Sequence, residues 1–294
     1  MSNNQRTKMG YLFLIPTLIV FLVFIAYPVC STIYLSFCNY RTQTITQGAT
    51  FTGLSNYIKM FQDQEMWTSL VFTLKFTVVS VILETILGML CAIIMNRKFK
   101  GKGFVCAMIL IPWCIPTIVS GLMWSYIFAE SFGVVNYLLS VANIIQDPIK
   151  WLSDGNWAFV SVIYADVWKT VPYMSLLLLS ALKTVSNDYL EAASLDGAGK
   201  ARRFFSIVLP NIRPVMMVAI MFRTIQSFRI YDLIRVMTNG GPQGSTKSLT
   251  MYAMEQYFTY GNMGYGAALA VLTFVISLII AAFFQEGVKN KLEV

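Results

Sequence analysis

The stretch EAASLDGAGKARRFFSIVLP, Glu191–Pro210, reads as two short amphipathic helices separated by a turn, inside a chain that is otherwise strongly apolar. Apolar residues Ala201, Phe204, Phe205, Val208 and Leu209 recur at three- and four-residue spacing, with Lys200, Arg202 and Arg203 largely off that stripe. Asp188 followed by Glu191 at the third position reads as a variant capping box. Gly197 is placed to stop the first helix, because glycine adopts the left-handed conformation that turns the chain, and a second helix is expected from Ala198. Pro210 and Pro214 are expected to break that second helix.

What surrounds the stretch decides its meaning. Of 294 residues, 56% are hydrophobic and 12% charged, and the mean hydropathy is +0.63, too apolar for a water-soluble domain of this length. Crossing a bilayer takes about 20 largely apolar residues. Six stretches satisfy this, near Tyr11–Phe37, Ser69–Met95, Phe104–Phe128, Trp157–Leu182, Pro214–Val236 and Gly264–Phe284. Arg6 and Lys8 precede the first, whose uncharged length and lack of a small-residue cleavage site read as a retained span rather than a signal peptide.

Basic residues test this arrangement, because cytoplasmic loops hold the excess of Lys and Arg. With the first residues inside, thirteen fall on the cytoplasmic side, among them Arg97, Lys98, Lys100, Lys102, Lys183, Lys200, Arg202 and Arg203. Five fall outside: Arg41, Lys59, Lys150, Arg235 and Lys247. Both termini and the Glu191–Pro210 stretch are therefore expected in the cytosol. The same distribution accounts for the net charge of +8 without a nucleic-acid partner, which would need basic residues grouped on a soluble face.

Several chemistries are excluded or weakened. The chain has no histidine, which removes catalytic triads, Cys–His dyads and H-E-x-x-H zinc sites, so neither catalytic nor metal-ligating residues are assigned. Its five cysteines, Cys30, Cys38, Cys91, Cys106 and Cys114, form no C-x-x-C pair and read as buried apolar thiols. No phosphate loop occurs: "GSTKS" at Gly244–Ser248 and "GKG" at Gly101–Gly103 lack the required spacing, so the chain cannot hydrolyse ATP by itself.

Glu191-Ala192-Ala193, Asp196-Gly197-Ala198, Phe204, Ile207, Leu209-Pro210 and Pro214 match the pattern E-A-A-x-x-D-G-A-x-x-x-x-x-F-x-x-I-x-L-P-x-x-x-P. This resembles the coupling loop of binding-protein-dependent ABC importer permeases. The resemblance implies that Glu191, Ala192, Ala193, Asp196, Gly197, Ala198, Phe204, Leu209 and Pro210 dock a cytoplasmic ATPase. A second element, Thr238, Gly240-Gly241-Pro242 and Thr246 after "SFRIYD" (Ser227–Asp232), together with "IPWCIPTIVSGLMWSYIF" (Ile111–Phe128), resembles the carbohydrate-importer branch and its MalF- or UgpA-like first permease subunit.

The expected fold is thus an all-α integral membrane protein: six transmembrane helices, with a cytoplasmic coupling helix between the fourth and fifth. The chain reads as one permease domain over 1–294, with a core near 69–286 and a coupling loop near 186–213. The resemblance implies a second homologous permease, two ABC ATPase subunits that bind ATP and magnesium, and an extracellular solute-binding protein, assembled in a bacterial cell membrane. Within that branch, maltose-type first subunits can carry extra N-terminal spans and a large insertion not found here, so the resemblance implies an oligosaccharide, glycoside or glycerol-phosphate cargo rather than maltose itself.

Ionisable residues inside spans normally face a cavity or a partner. Asp166 and Lys169 either neutralise each other at three-residue spacing or line a polar pathway, and Glu84 has Arg223 as a conceivable cross-helix partner. Trp168, Lys169, Tyr173, Gln226, Arg229, Tyr231 and Asp232 are the candidate substrate-pathway residues, combining aromatic faces with hydrogen-bonding groups. An ion-coupled secondary transporter is the alternative, with Glu84 and Asp166 as its coupling carboxylates.

Overall fold

A computed structural model describes residues 13–289. Arg6, Lys8, Lys291, the start of the first expected span and both termini lie outside the described residues. The helices run α1 Phe13–Ser36, α2 Ser55–Gln62, α3 Gln64–Asn96, α4 Lys102–Cys114, α5 Thr117–Ile127 and α6 Val134–Val141. They continue with α7 Gly155–Leu182, α8 Asn187–Leu195, α9 Lys200–Phe228, α10 Asp232–Met237, α11 Leu249–Met254 and α12 Met263–Lys289. Among the described residues, five helices are long and apolar enough to span a membrane, and the bent pair α4–α5 brings the number to six if taken as one span.

Two expected spans are corrected. Phe104–Phe128 is not one straight helix: α4 and α5 meet at 96°. Pro116 disfavours the helical conformation at the residue before it, and Ile115 is extended (φ −77°, ψ 129°). The fifth span begins earlier than Pro214 and ends before Val236. It runs from Lys200 to Phe228, with Asp232–Met237 a separate short helix.

Pro210 and Pro214 therefore do not break the second amphipathic helix, which passes through both. A wide π-turn at Phe204–Val208 precedes Pro210 by two residues, and another at Leu22–Ala26 precedes Pro28 by two. The i→i+5 hydrogen bonds of such a turn leave room for the pyrrolidine ring and need no N–H from it.

Several threonine hydroxyls inside the spans are satisfied locally. Thr73 and Thr77 each bond the carbonyl four residues back at 2.7 Å, as does Thr224 with Ile220.

The described residues divide into two compact units. One comprises the chain up to Met66 with Tyr252–Phe274; the other comprises Trp67–Met251 with the segment from Val275. In the first, β1 Cys38–Asn39 pairs antiparallel with β2 Thr50–Phe51. Asp63 ties this unit together, accepting from the hydroxyls of Tyr252 and Tyr265, each at 2.5 Å, and from the Glu65 N–H at 2.9 Å. Burial alone would push the Asp63 carboxyl up, but these donors outweigh it and hold it below the usual carboxylate range. Burial and the Asp63 charge push the Tyr252 phenol up. Nothing on α1 before Ser36 is buried.

In the larger unit, α9 and α4 pack on α7, and α10 packs on α5. One apolar cluster joins Phe72, Phe76, Trp124, Phe128, Val162, Leu233 and Met251. Another joins Met89, Ala92, Met174, Leu178, Ile212 and Ala219. Close helix approach is built from glycine: a Cβ at Gly121 would lie 3.1 Å from Val236, and one at Gly88 2.8 Å from Met174 Cγ. Asn136 closes the α5–α7 connection, accepting from Trp151 Nε1 at 2.8 Å and donating to the Ile149 carbonyl at 3.0 Å.

The cysteine expectation is corrected: only Cys38 of the five is buried. In a lipid-facing helix an apolar thiol need not point into protein to avoid water.

Candidate functional site

The segment 186–213 folds as α8, a sharp turn, and the start of α9. Its first cap is Ser186 rather than the expected Asp188: the Ser186 hydroxyl accepts from the Asp188 N–H at 3.2 Å, and Asp188 sits in the first turn, where a negative charge suits the helix dipole. The far end closes as a Schellman motif. Ala198 N–H reaches the Ala193 carbonyl at 2.9 Å and Gly197 N–H reaches the Ser194 carbonyl at 3.1 Å, with Gly197 at φ +78°. The second helix starts at Lys200, two residues later than expected.

Burial sorts the motif into two groups. Phe204, Val208 and Leu209 are half-buried and pack against the Met89–Leu178 cluster, anchoring the segment to α3 and α7. Glu191, Ala192, Asp196, Gly197 and Pro210 are exposed, while Ala193 and Ala198 are half-buried at the turn. Two residues not singled out from sequence stand on the exposed side: Leu195, 90% exposed, and Tyr189, 62% exposed. Their signal was available, since both are large apolar residues off the helix face that packs inward. The result is an outward apolar ridge bordered by Glu191 and Asp196 and fastened to the spans from behind.

Deep in the larger unit three spans meet at one guanidinium. Arg223 on α9 pairs through Nε with Glu84 Oε2 on α3, and through Nη2 with Glu84 Oε1 at 2.7 Å and Asp166 Oδ2 on α7 at 2.6 Å. Thr170 Oγ1 lies 2.7 Å from Glu84 Oε1. Glu84 is fully buried and Arg223 is 4% exposed. The Glu84–Arg223 pairing is thus present. The mutual neutralisation of Asp166 by Lys169 is corrected, because the Asp166 carboxylate turns to Arg223, accepting from Nη2 at 2.6 Å.

The candidate pathway residues divide by surroundings. Trp168 stands edge-on to Trp124 at 5.4 Å, and Tyr173 stacks on Trp113 at 5.8 Å, so both have aromatic packing partners. Tyr231 packs against the Phe72–Leu233 cluster. Lys169 is half-buried, whereas Gln226, Arg229 and Asp232 are exposed near the C-terminal end of α9. The Thr238–Thr246 element forms a closed turn: the two hydroxyls lie 2.7 Å apart, and Thr246 also donates to the Gly241 carbonyl at 2.7 Å.

The family described as binding-protein-dependent transport system inner membrane component matches residues 84–290. The trehalose/maltose transport system permease protein MalF of Thermococcus litoralis is 43% identical over 274 residues, covering 93% of this chain and 91% of that protein. The trehalose transport system permease protein SugA of Mycobacterium tuberculosis is 36% identical, covering 96% and 89%. The sn-glycerol-3-phosphate permease UgpA of Agrobacterium fabrum is 31% identical, covering 96% and 94%. A bacterial ABC transporter involved in alginate import shares the fold, with a TM-score of 0.84 at 21% identity over 97% of this chain and 96% of that one. Compact length does not set maltose apart, since a relative named for trehalose and maltose is matched over 91% of its length. The chain belongs to the binding-protein-dependent transport system inner membrane component family.

Proposed function

We propose that this chain is one of two permease subunits of an ATP-driven importer that moves a carbohydrate delivered by an extracellular solute-binding protein. The observation that carries the reading is the α8–Gly197–α9 unit: an outward ridge of Ala192 and Leu195, anchored by Phe204 and Leu209, on the same helix that carries Arg223 into the span. A chain with no phosphate loop and such a ridge is built to take motion from a separate ATPase. The excess of Lys and Arg on that side of the spans supports a cytoplasmic position for the ridge. The largely exposed α1 supports a second permease, because an apolar helix covered only in part by its own chain can complete its packing against another.

Relatives named for trehalose, maltose and trehalose alone favour a di- or oligosaccharide. Trp168, Lys169, Tyr173, Gln226, Arg229, Tyr231 and Asp232 remain the proposed contacts, with Gln226, Arg229 and Asp232 best exposed to meet sugar hydroxyls. The ion-coupled alternative loses support, since Glu84 and Asp166 are both engaged by Arg223.

The test is uptake of labelled trehalose or maltose into proteoliposomes containing the reconstituted complex. Uptake is expected to require internal ATP and to be abolished by Ala192→Trp, which blocks the ridge on an exposed helix face. Uphill accumulation by this chain alone, without nucleotide, refutes the reading.

A further inference from the structure

The larger unit carries a groove of about 720 Å³ between the end of α3, α8 and the start of α9. Its lining includes three cations, Arg97, Lys200 and Arg203, and no carboxylate. The remaining lining is largely apolar and includes Ile93, Phe204 and Phe205.

The two chemistries are layered along the helices. Arg97 follows the last residue of α3, Asn96, while Ile93 lies one turn inside the helix. Lys200 and Arg203 open α9, while Phe204 and Phe205 follow them into the span. Charge therefore rims the groove at the ends of the two spans, and apolar surface continues from it along the helices. Arg203 is held in place, its Nη1 donating to the Leu190 carbonyl at 3.3 Å, and Phe205 remains 66% exposed.

We propose that this groove binds an anionic diacyl phospholipid, its phosphate between Arg97, Lys200 and Arg203 and an acyl chain against Ile93, Phe204 and Phe205. Basic recesses at the ends of transmembrane helices attract such headgroups, and each nearby cation strengthens the attraction several-fold. A free phosphate or an acidic peptide would satisfy the rim and leave the apolar floor uncovered, whereas a phospholipid matches both layers. The lipid site lies beside the α8 ridge and leaves the exposed face of Ala192 and Leu195 free.

The full chain, reconstituted in nanodiscs of phosphatidylglycerol and phosphatidylcholine and released into mild detergent, is examined by native mass spectrometry for retained lipid. Wild type is expected to keep phosphatidylglycerol in preference to phosphatidylcholine. Arg97→Gln with Lys200→Gln and Arg203→Gln is expected to lower that retention roughly a hundredfold. Lys200→Gln alone and Phe205→Ser, both at exposed positions that leave folding intact, are expected to lower it several-fold each. Lys98→Gln with Lys100→Gln, equally basic but outside the groove, leaves it unchanged. The proposal is overturned if the single variants retain lipid as wild type does, if the control pair loses it equally, or if glycerol 3-phosphate displaces it as effectively as the diacyl lipid.

Discussion

Arg223 holds two carboxylates from two other helices, and its removal would strand both in a low-dielectric interior. Breaking a buried ion pair in this way costs about 3–5 kcal/mol. Arg223→Met is therefore expected to lower the unfolding midpoint in detergent sharply, and adding Glu84→Gln with Asp166→Asn to recover part of the loss. No recovery would mean that the charges are not what the arginine serves. Asp63 gives a pH-dependent counterpart. Its folded carboxyl titrates below its unfolded value of about 3.9, so the stability it contributes is complete above that value and is lost as pH falls through the folded one. The thermal stability of wild type over Asp63→Asn is thus expected to be constant near neutrality and to vanish in strong acid. The sequence made the Glu84–Arg223 pair nameable, because charge inside a span demands a partner. It did not disclose that Asp166 would join them, since periodicity along one helix carries nothing about side chains 57 and 139 residues apart.

At the scale of elements, the turn after α8 was legible almost to the atom: a glycine placed to end a helix is at φ +78°. A Cβ at Gly197 would meet nothing within 4 Å, so Gly197→Ala is expected to cost only the backbone strain of the left-handed region, about 1–2 kcal/mol. Faster hydrogen exchange confined to α8 would register it, whereas exchange faster throughout α9 would refute so local an effect. Gly121 is the opposite case, with Val236 already 3.1 Å from a built Cβ. Gly121→Leu is expected to destabilise the larger unit by about 1–3 kcal/mol through overpacking of α5 against α10, read as a lowered unfolding midpoint. The bend between α4 and α5 was written in Pro112 and Pro116, but apolar length masked it. A 25-residue window of uncharged residues satisfies the spanning criterion whether or not the backbone inside it turns.

For the whole molecule, the number and order of spans followed from solvent physics, because only helices satisfy their own backbone in hydrocarbon. The division into two compact units did not, since it depends on which residues meet across long separations. The unburied α1 sets a prediction at this scale. Phe24→Ala is expected to change the stability of the isolated chain by less than about 0.5 kcal/mol, as for other substitutions away from packed features, yet to reduce recovery of the second permease from a tandem purification. Equal recovery with unchanged stability would show that α1 faces lipid alone.

One geometric fact about α9 reaches further than its sequence. Lys200 and Arg223 lie on one continuous helix, roughly 35 Å apart at 1.5 Å per residue, and a helix resists compression far better than it resists rotation. A push at the Lys200 end therefore arrives at the guanidinium as a swing of the rod: a tilt of about 10° about one end displaces the other by roughly 6 Å. The five-residue wide turn at Phe204–Val208 lies near the base, so the arm above it is long. On that geometry, any tilt at the base is amplified along the arm.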